Sequence, residues 1–167
     1  MEKFKRRFYD SHPELPLDPD SEQAITKRLP HTDGAHILVV AFGGFFGTLA
    51  RYQLGLLLPV EKNGWPIMTF MINIAGAFVL GLLLESLTRR GKDEGGRRAI
   101  RLLLGTGFLG AFTTYSSLAT GVVILWQNNE TMLALLYGFT SLVFGVFAAA
   151  LGIQIAAKRH ISQGARL

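Results

Sequence analysis

Four long stretches without charge constrain this sequence more than any other feature. They span residues 34–50, 63–84, 102–129 and 131–157. A helix needs roughly 20 apolar residues to cross a hydrocarbon core about 30 Å thick. The last two stretches exceed that length, the second just meets it, and the first meets it if Arg51 is tolerated inside. The sequence therefore predicts an all-α membrane protein with four spans, at roughly 37–58, 65–87, 100–126 and 132–157.

Composition supports this interpretation and divides the chain into three parts. Only 17% of the residues are charged, against about 25% in soluble domains. The chain has no Cys, which excludes disulfides and thiolate chemistry. Residues 1–36 combine mixed charge with Pro and Asp, so we expect a disordered cytoplasmic extension. The four-span domain at 37–157 follows, and residues 158–167 form a basic cytoplasmic tail.

The basic residues predict an orientation. With four spans, both termini and the loop between spans two and three lie on one side of the membrane. That loop and the C-terminal tail carry Arg89, Arg90, Lys92, Arg97, Arg98, Lys158 and Arg159, whereas the opposite loops carry only Lys62. The positive-inside rule places the termini in the cytoplasm. No basic patch is interleaved with aromatic residues as in a nucleic-acid-binding domain.

Small residues recur at helical spacing within the spans. Gly43 and Gly47 form a GxxxG motif in span one. Span four carries a stripe made of Gly138, Ser141, Gly145, Ala148 and Gly152. Small residues let membrane helices approach closely. We expect a compact bundle with a large interface to a second subunit.

Three polar side chains lie within or near the spans. Arg51 can reach the outer interface through its long stem, line an anion vestibule, or anchor the bundle through backbone carbonyls. Asn73 lies mid-span, where a buried amide needs partners; it can join helices or offer N–H donors to an anion. Glu85 and Arg89 are four residues apart, a spacing that favours an interfacial ion pair.

In span three, Gly105, Gly107 and Gly110 precede a run of hydroxyl residues in GFLGAFTTYSS (107–117). Glycine weakens a helix interior, and hydroxyl side chains compete for backbone hydrogen bonds. The pattern predicts a break at bilayer depth, where freed backbone groups are buried or used. A kinked but continuous helix is the alternative.

The segment at 107–117, together with GGFFGTLARY (43–52) and TFMINIAGAFVLG (69–81), resembles the Fluc/CrcB fluoride channels across about 120 residues and all four spans. The resemblance implies passive, selective fluoride export through an antiparallel dimer in the bilayer. It also implies a structural sodium ion at the dimer centre, held by the backbone carbonyls of Gly110 and Thr113. The implied fluoride pathway comprises Arg51, Asn73, Thr114, Tyr115, Ser117, Leu118, Tyr137 and Ser141.

Two positions depart from the family pattern. Where the family presents two Phe rings in TTFSTF, this chain has Tyr115 and Leu118. Tyr115 retains a positive ring edge, but Leu118 offers none, so one pathway is impaired or a partner supplies the ring. The strong charge bias favours one orientation, and hence pairing with a homologous, oppositely inserted subunit; a homodimer stays open.

Competing functions are weaker. A proton-coupled multidrug exporter needs a carboxylate deep in the membrane, and no Asp or Glu lies in a span core. A non-conducting or half-active subunit of a heteromer is the alternative that Leu118 keeps open. Enzymatic activity is not expected, because no nucleophile motif occurs and the four His residues lie outside the membrane core.

Overall fold

The computed structural model describes residues 34–57 and 64–164, with side chains through Lys158. The predicted disordered extension at 1–36 lies outside the described residues, except for its last three. The chain divides at residue 37, and the part that follows it forms one compact unit. All packing reported below lies within this unit.

The described residues form helices and no strand. Helix α1 spans Gly34–Leu57 and α2 spans Ile67–Thr88. The third span comprises α3 (Gly95–Ile100), a π-helical segment (Arg101–Leu109) and α4 (Gly110–Phe112), followed by α5 (Tyr115–Gln127). Helix α6 spans Thr131–Gly164. Between α5 and α6, Asn129 adopts a positive φ of 63°, which lets the chain reverse within a few residues.

Four helical stretches are long and apolar enough to cross a membrane: Gly34–Leu57, Ile67–Thr88, Gly95–Gln127 and Thr131–Lys158. This confirms the predicted all-helical, multi-pass membrane protein. The helices themselves extend beyond the predicted spans, by the most residues in the third span, which begins at Gly95, and in α6, which continues to Gly164. Charge marks where a helix leaves the bilayer rather than where it ends, because a helix is equally compatible with charged residues in water.

Helices α2 and α6 pack at backbone distance. A Cβ added at Gly152 would overlap the carbonyl oxygen of Phe78, and one added at Gly81 would overlap the carbonyl of Ala149. Because both helices carry glycine at these contacts, no side chain holds the two backbones apart.

The GxxxG motif of α1 packs against the π-helical segment of the same chain. A Cβ at Gly43 would overlap the Leu103 carbonyl, and one at Gly47 would overlap the Phe108 carbonyl. On the facing element, a Cβ at Gly107 would lie 2.7 Å from the Val40 carbonyl oxygen. These glycines therefore let helices of one chain pack closely, as the predicted compact bundle requires, and the predicted interface to a second subunit stays a prediction.

Candidate functional site

The helical run of the third span is interrupted at two threonines. Helix α4 ends at Phe112, and Thr113 has φ −79° and ψ 156°. Thr114 has φ −150° and ψ 120°, and α5 begins at the next residue. Both pairs of dihedrals are extended rather than helical. The backbone polar groups on either side must therefore find partners outside the ordinary helical ladder.

Asn73 supplies two of these partners from α2. The backbone N–H of Thr114 donates to Asn73 Oδ1 at 2.8 Å, and Asn73 Nδ2 donates to the Thr114 carbonyl at 3.0 Å. In a continuous helix the Thr114 N–H would bond to the carbonyl of Gly110. The side chain thus replaces a helical hydrogen bond. One N–H of its amide is left for another acceptor.

Arg51 supplies a third partner from α1. Its Nε donates to the carbonyl of Ala111 at 3.1 Å, an oxygen that Tyr115 N–H would satisfy in a continuous helix. Of the three roles considered for Arg51, the geometry shows the anchoring of the bundle through a backbone carbonyl. The half-buried guanidinium also lines the first cavity described below.

Thr114 caps the helix that follows the interruption. Its Oγ1 accepts from Ser117 N–H at 3.1 Å, the bonding pattern of an N-cap residue. The same hydroxyl donates to Ser117 Oγ at 3.2 Å and lies 3.0 Å from Ser116 Oγ. Because Ser117 Oγ accepts in this arrangement, its own proton is available to another acceptor.

Two cavities adjoin these residues. The Arg51 cavity, of about 400 Å³, is lined by Thr48, Arg51, Tyr52, Gly55, Leu56, Met68, Thr69, Ile72, Thr114 and Ser117. The Ser116 cavity, of about 280 Å³, is lined by Gly64, Pro66, Thr69, Ser116, Ser117, Thr120, Gly121, Ile124 and Leu125. Thr69 and Ser117 line both, so the cavities meet at hydroxyl groups beside the interruption.

Tyr137 and Ser141 lie on α6 in a buried cluster. Tyr137 is fully buried with Leu125 and Ala134, and Leu118 packs against this cluster. Within the described part of the chain the Tyr137 hydroxyl is buried without a hydrogen-bond partner. Ser141 is also buried, and its hydroxyl donates to the Tyr137 carbonyl at 2.6 Å. The unpartnered phenol is therefore the available donor of this pair.

The remaining predicted site groups are the exposed side chain of Tyr115 and the backbone carbonyls of Gly110 and Thr113. Tyr115 is 79% exposed, so its ring contacts little of its own subunit. Gly110 is exposed and helical, with φ −62° and ψ −33°. Its carbonyl has lost the Thr114 N–H to Asn73, and the extended Thr113 turns its own carbonyl out of the helical ladder. Backbone carbonyl oxygens are the type of ligand that a hard cation prefers.

A comparison with protein families decides the chain's membership. The model of the CrcB-like protein family, Camphor Resistance (CrcB), matches residues 38–153, a range that contains the second and third predicted spans in full and most of the first and fourth. The chain belongs to the CrcB family.

Curated relatives of this CrcB protein carry concordant names. "Fluoride-specific ion channel FluC 2" of Leifsonia xyli subsp. xyli is 43% identical over 136 residues, covering 79% of this chain and 93% of the relative. "Fluoride-specific ion channel FluC" of Thermus thermophilus is 43% identical over 119 residues, covering 71% and 92%. The relatives are named as ion channels, which confirms the expectation of a non-enzyme.

The structure of this CrcB protein adds residues that the sequence analysis did not select. Thr69 lines both cavities, and Ser116 and Thr120 line one of them. A hydroxyl residue in a span does not by its type distinguish a cavity residue from one bonded to its own helix. The signal available in the sequence was the clustering of hydroxyls at 113–120, which already included Ser116 and Thr120.

Proposed function

We propose that this chain is a subunit of a fluoride-specific channel that lets fluoride leave the cytoplasm passively, down its gradient. The observation that carries the proposal is the interruption at Thr113–Thr114, bonded from two other helices by Asn73 and Arg51. Non-helical backbone at membrane depth occurs where it is buried in protein or lines a water-filled cavity. Family membership and the names of the relatives indicate which ion such a site serves.

Neutral hydrogen-bond donors are suited to conduct a small anion. Fluoride must exchange its hydration water for donors spaced closely along the path. Among the described residues, donors available to an anion include the Ser117 hydroxyl, the buried Tyr137 hydroxyl and the second N–H of Asn73. Each binds an anion without a full positive charge, so the ion can also leave.

Arg51 contributes a fixed positive charge beside this path. Its Nε is held by the Ala111 carbonyl, which leaves its Nη groups to the Arg51 cavity. A cation lining a cavity raises the local concentration of anions. The proposed role is therefore anion attraction by a side chain whose position the interruption itself fixes.

We place the structural sodium of the family at the carbonyls of Gly110 and Thr113. When bound, sodium would supply a fixed positive charge beside the interruption. Hard cations such as Ca²⁺ take about six to eight oxygen ligands, so two carbonyls of one chain need a second subunit or water to complete the shell. The exposure of Gly110 and Tyr115 on one chain is consistent with a subunit that covers them.

The proposed assembly is an antiparallel pair. Charge bias places the termini of this chain in the cytoplasm, which favours a homologous partner inserted the other way. A homodimer remains the competing arrangement, and it requires that one sequence insert in both orientations.

Ion efflux from proteoliposomes tests the proposal. The purified chain is reconstituted with internal fluoride or chloride, and efflux is recorded with ion-selective electrodes. We expect fluoride to leave much faster than chloride. Equal rates for the two ions would reject a fluoride-specific channel. Fluoride flux that appears only after co-expression with a second homologue would identify a heteromer, whereas flux from the chain alone would identify a homodimer.

A further inference from the structure

The loop between α2 and the π-helical segment carries a dense positive charge that the proposed function does not use. We define the basic loop as residues 89–101, which include the short helix α3 and Arg101, the first residue of the π-helical segment. It contains six basic residues and two acidic ones, Asp93 and Glu94, for a net charge of +4. It follows directly on the α2 span, which ends at Thr88, and includes the start of the third helical stretch at Gly95. Its charges therefore lie at the membrane surface.

The basic loop has a defined fold that hydrogen bonds hold in place. Arg97 Nε donates to the Lys92 carbonyl at 2.8 Å, and Arg98 Nε donates to the Asp93 carbonyl at 2.9 Å. Gly91, at φ 113°, lies against the Arg97 guanidinium, since a Cβ added there would be 3.6 Å from an Nη. In both arginines the Nε donates to a backbone carbonyl, so the Nη groups can bind an anion.

The acidic residues that could cancel this charge are mostly occupied within the loop. Asp93 Oδ2 accepts from Arg101 Nε at 3.0 Å and lies 2.8 Å from an Arg101 Nη. Arg98 Nε also lies 3.8 Å from the same carboxylate oxygen. At the end of α2, Glu85 pairs with Arg89 at 2.5 Å, as the sequence predicted.

Three basic side chains form no salt bridge in the described part of the chain, although one of them, Arg97, lies near enough to Asp93 to help lower the pKa of that carboxyl. They are Arg90, Lys92 and Arg97. Arg90 and Lys92 are exposed, and Arg97 is half-buried with its Nε fixed. These three cations, one of them held by a bond to the backbone, thus lie in a short stretch of chain that directly follows the α2 span.

We propose that the basic loop is a docking surface for the headgroups of anionic phospholipids. The positive-inside rule orients a protein in the membrane through the number of basic residues in a loop, whatever the conformation of that loop. Orientation does not require the hydrogen bonds that hold Arg97 and Arg98, or the positive φ of Gly91. Guanidinium groups held in this way are suited to the planar, bidentate recognition of phosphate. The location next to two spans brings the loop to lipid headgroups rather than to a partner in solution.

Native mass spectrometry of the full chain tests this inference directly. The protein, released from detergent, is titrated with phosphatidylglycerol or with phosphatidylcholine of the same acyl chains. We expect preferential adducts with phosphatidylglycerol that weaken as salt is raised. Equal affinity for the two lipids would overturn the proposal, as would displacement of phosphatidylglycerol by an equal concentration of inorganic phosphate.

Matched variants separate this surface from charge in general. Arg90→Gln should weaken phosphatidylglycerol binding about fivefold, and Arg90→Gln with Lys92→Gln about twentyfold or more. Lys62→Gln removes the same charge from the loop between spans one and two and should change affinity less than about twofold. An equal loss in Lys62→Gln would show that net charge alone governs binding.

A charge-neutral variant tests the fold of the loop. Gly91→Ala keeps every charge but strains the backbone at φ 113°, so it should weaken the preference for phosphatidylglycerol. An unchanged preference in Gly91→Ala would show that the loop's conformation has no part in recognition. Fluoride efflux of the same variants is recorded in parallel, since the basic loop is distinct from the proposed ion path and these variants should still conduct.

Discussion

Asn73 and Thr114 are joined by a reciprocal pair of hydrogen bonds across two helices. Thr114 N–H donates to Asn73 Oδ1 at 2.8 Å, while Asn73 Nδ2 donates to the Thr114 carbonyl at 3.0 Å. One amide side chain thus satisfies both backbone groups of a residue that no longer belongs to a helix. The sequence analysis left open whether Asn73 joins helices or serves an anion, and this geometry shows the first role while leaving one N–H for the second.

Asn73→Ala should destabilise the protein. The substitution leaves the Thr114 N–H and carbonyl without their partners, and an unsatisfied buried group costs about 1–3 kcal/mol. The measurement is the denaturation midpoint of the detergent-solubilised protein. Gln154→Ala truncates an amide at an exposed position of α6 and should leave the midpoint nearly unchanged. Equal midpoints for Asn73→Ala and the wild type would contradict the bonding role.

Asn73→Asp should suppress fluoride flux. The carboxylate can still accept from Thr114 N–H, but it places a negative charge beside the proposed anion path. An added barrier of about 1.4 kcal/mol slows passage about tenfold, and we expect at least that loss in proteoliposome efflux. Undiminished flux would remove Asn73 from the pathway.

Arg51→Gln should lower both stability and flux. The change removes a charge-assisted bond to the Ala111 carbonyl, a type of bond worth about 1.5–3 kcal/mol, and removes the cation from the Arg51 cavity. Arg89→Gln is the matched control, because it breaks an exposed pair with Glu85 that is worth about 0–1 kcal/mol. Arg51→Lys keeps the charge without the Nε donor, so flux retained alongside lost stability would separate the two roles.

The sequence specified the four spans because charge is costly in a bilayer, and a run of residues without charge is visible in one dimension. It could not specify what Arg51 and Asn73 contact. Their partners, Ala111 and Thr114, lie 60 and 41 residues away along the chain, and the bonds join backbone atoms that any residue type offers. Residue type alone therefore left several roles open for both.

The small-residue patterns illustrate a second limit. Gly152 and Gly145 lie seven residues apart in α6, yet a Cβ at Gly152 would overlap the Phe78 carbonyl whereas nothing lies within 4 Å of one at Gly145. Spacing shows that two glycines share a helical face. It does not show whether that face meets its own chain or another molecule, because the packing of α2 against α6 is decided by the whole bundle.

These two glycines give a matched pair of variants on one helix. Gly152→Ala forces apart the backbones of α2 and α6, and overpacking of this kind costs about 1–3 kcal/mol. Gly145→Ala meets no atom in the single chain and should stabilise the helix by about 0.4–1 kcal/mol. Chemical denaturation in detergent measures both. A lower stability for Gly145→Ala than for Gly152→Ala would refute the α2–α6 contact.

Asp93 should make the stability of the basic loop depend on acid pH. The hydrogen bond from Arg101, aided by the nearby arginines, lowers the pKa of Asp93 below its ordinary value of 3.8. A lowered pKa in the folded protein means that the carboxylate stabilises the fold above the ordinary value, and this contribution is lost as pH falls through the lowered pKa. We expect Asp93→Asn to be less stable than the wild type near pH 6.

Denaturation midpoints measured at acid pH check this expectation. Once both proteins lack the charge, below the native pKa of Asp93, their denaturation midpoints should converge. Glu94→Gln removes the neighbouring carboxylate, which makes no ion pair in the described part of the chain, and should show a smaller difference near pH 6. A gap between Asp93→Asn and the wild type that persists unchanged into strong acid would exclude the ion pair as its cause.

Tyr115 should matter to the channel more than to the fold of one subunit. Its side chain is 79% exposed on the single chain, whereas Leu118, three residues later, packs against the buried cluster around Tyr137. Tyr115→Ala should therefore lower fluoride efflux with little loss of subunit stability, because it removes a ring edge and a hydroxyl from the proposed path. Leu118→Ala should destabilise the chain by up to about 2 kcal/mol, because this half-buried side chain loses its packing against the cluster. Normal efflux in Tyr115→Ala would exclude this ring from the path, and the pathway would then depend on the donors at Ser117 and Tyr137.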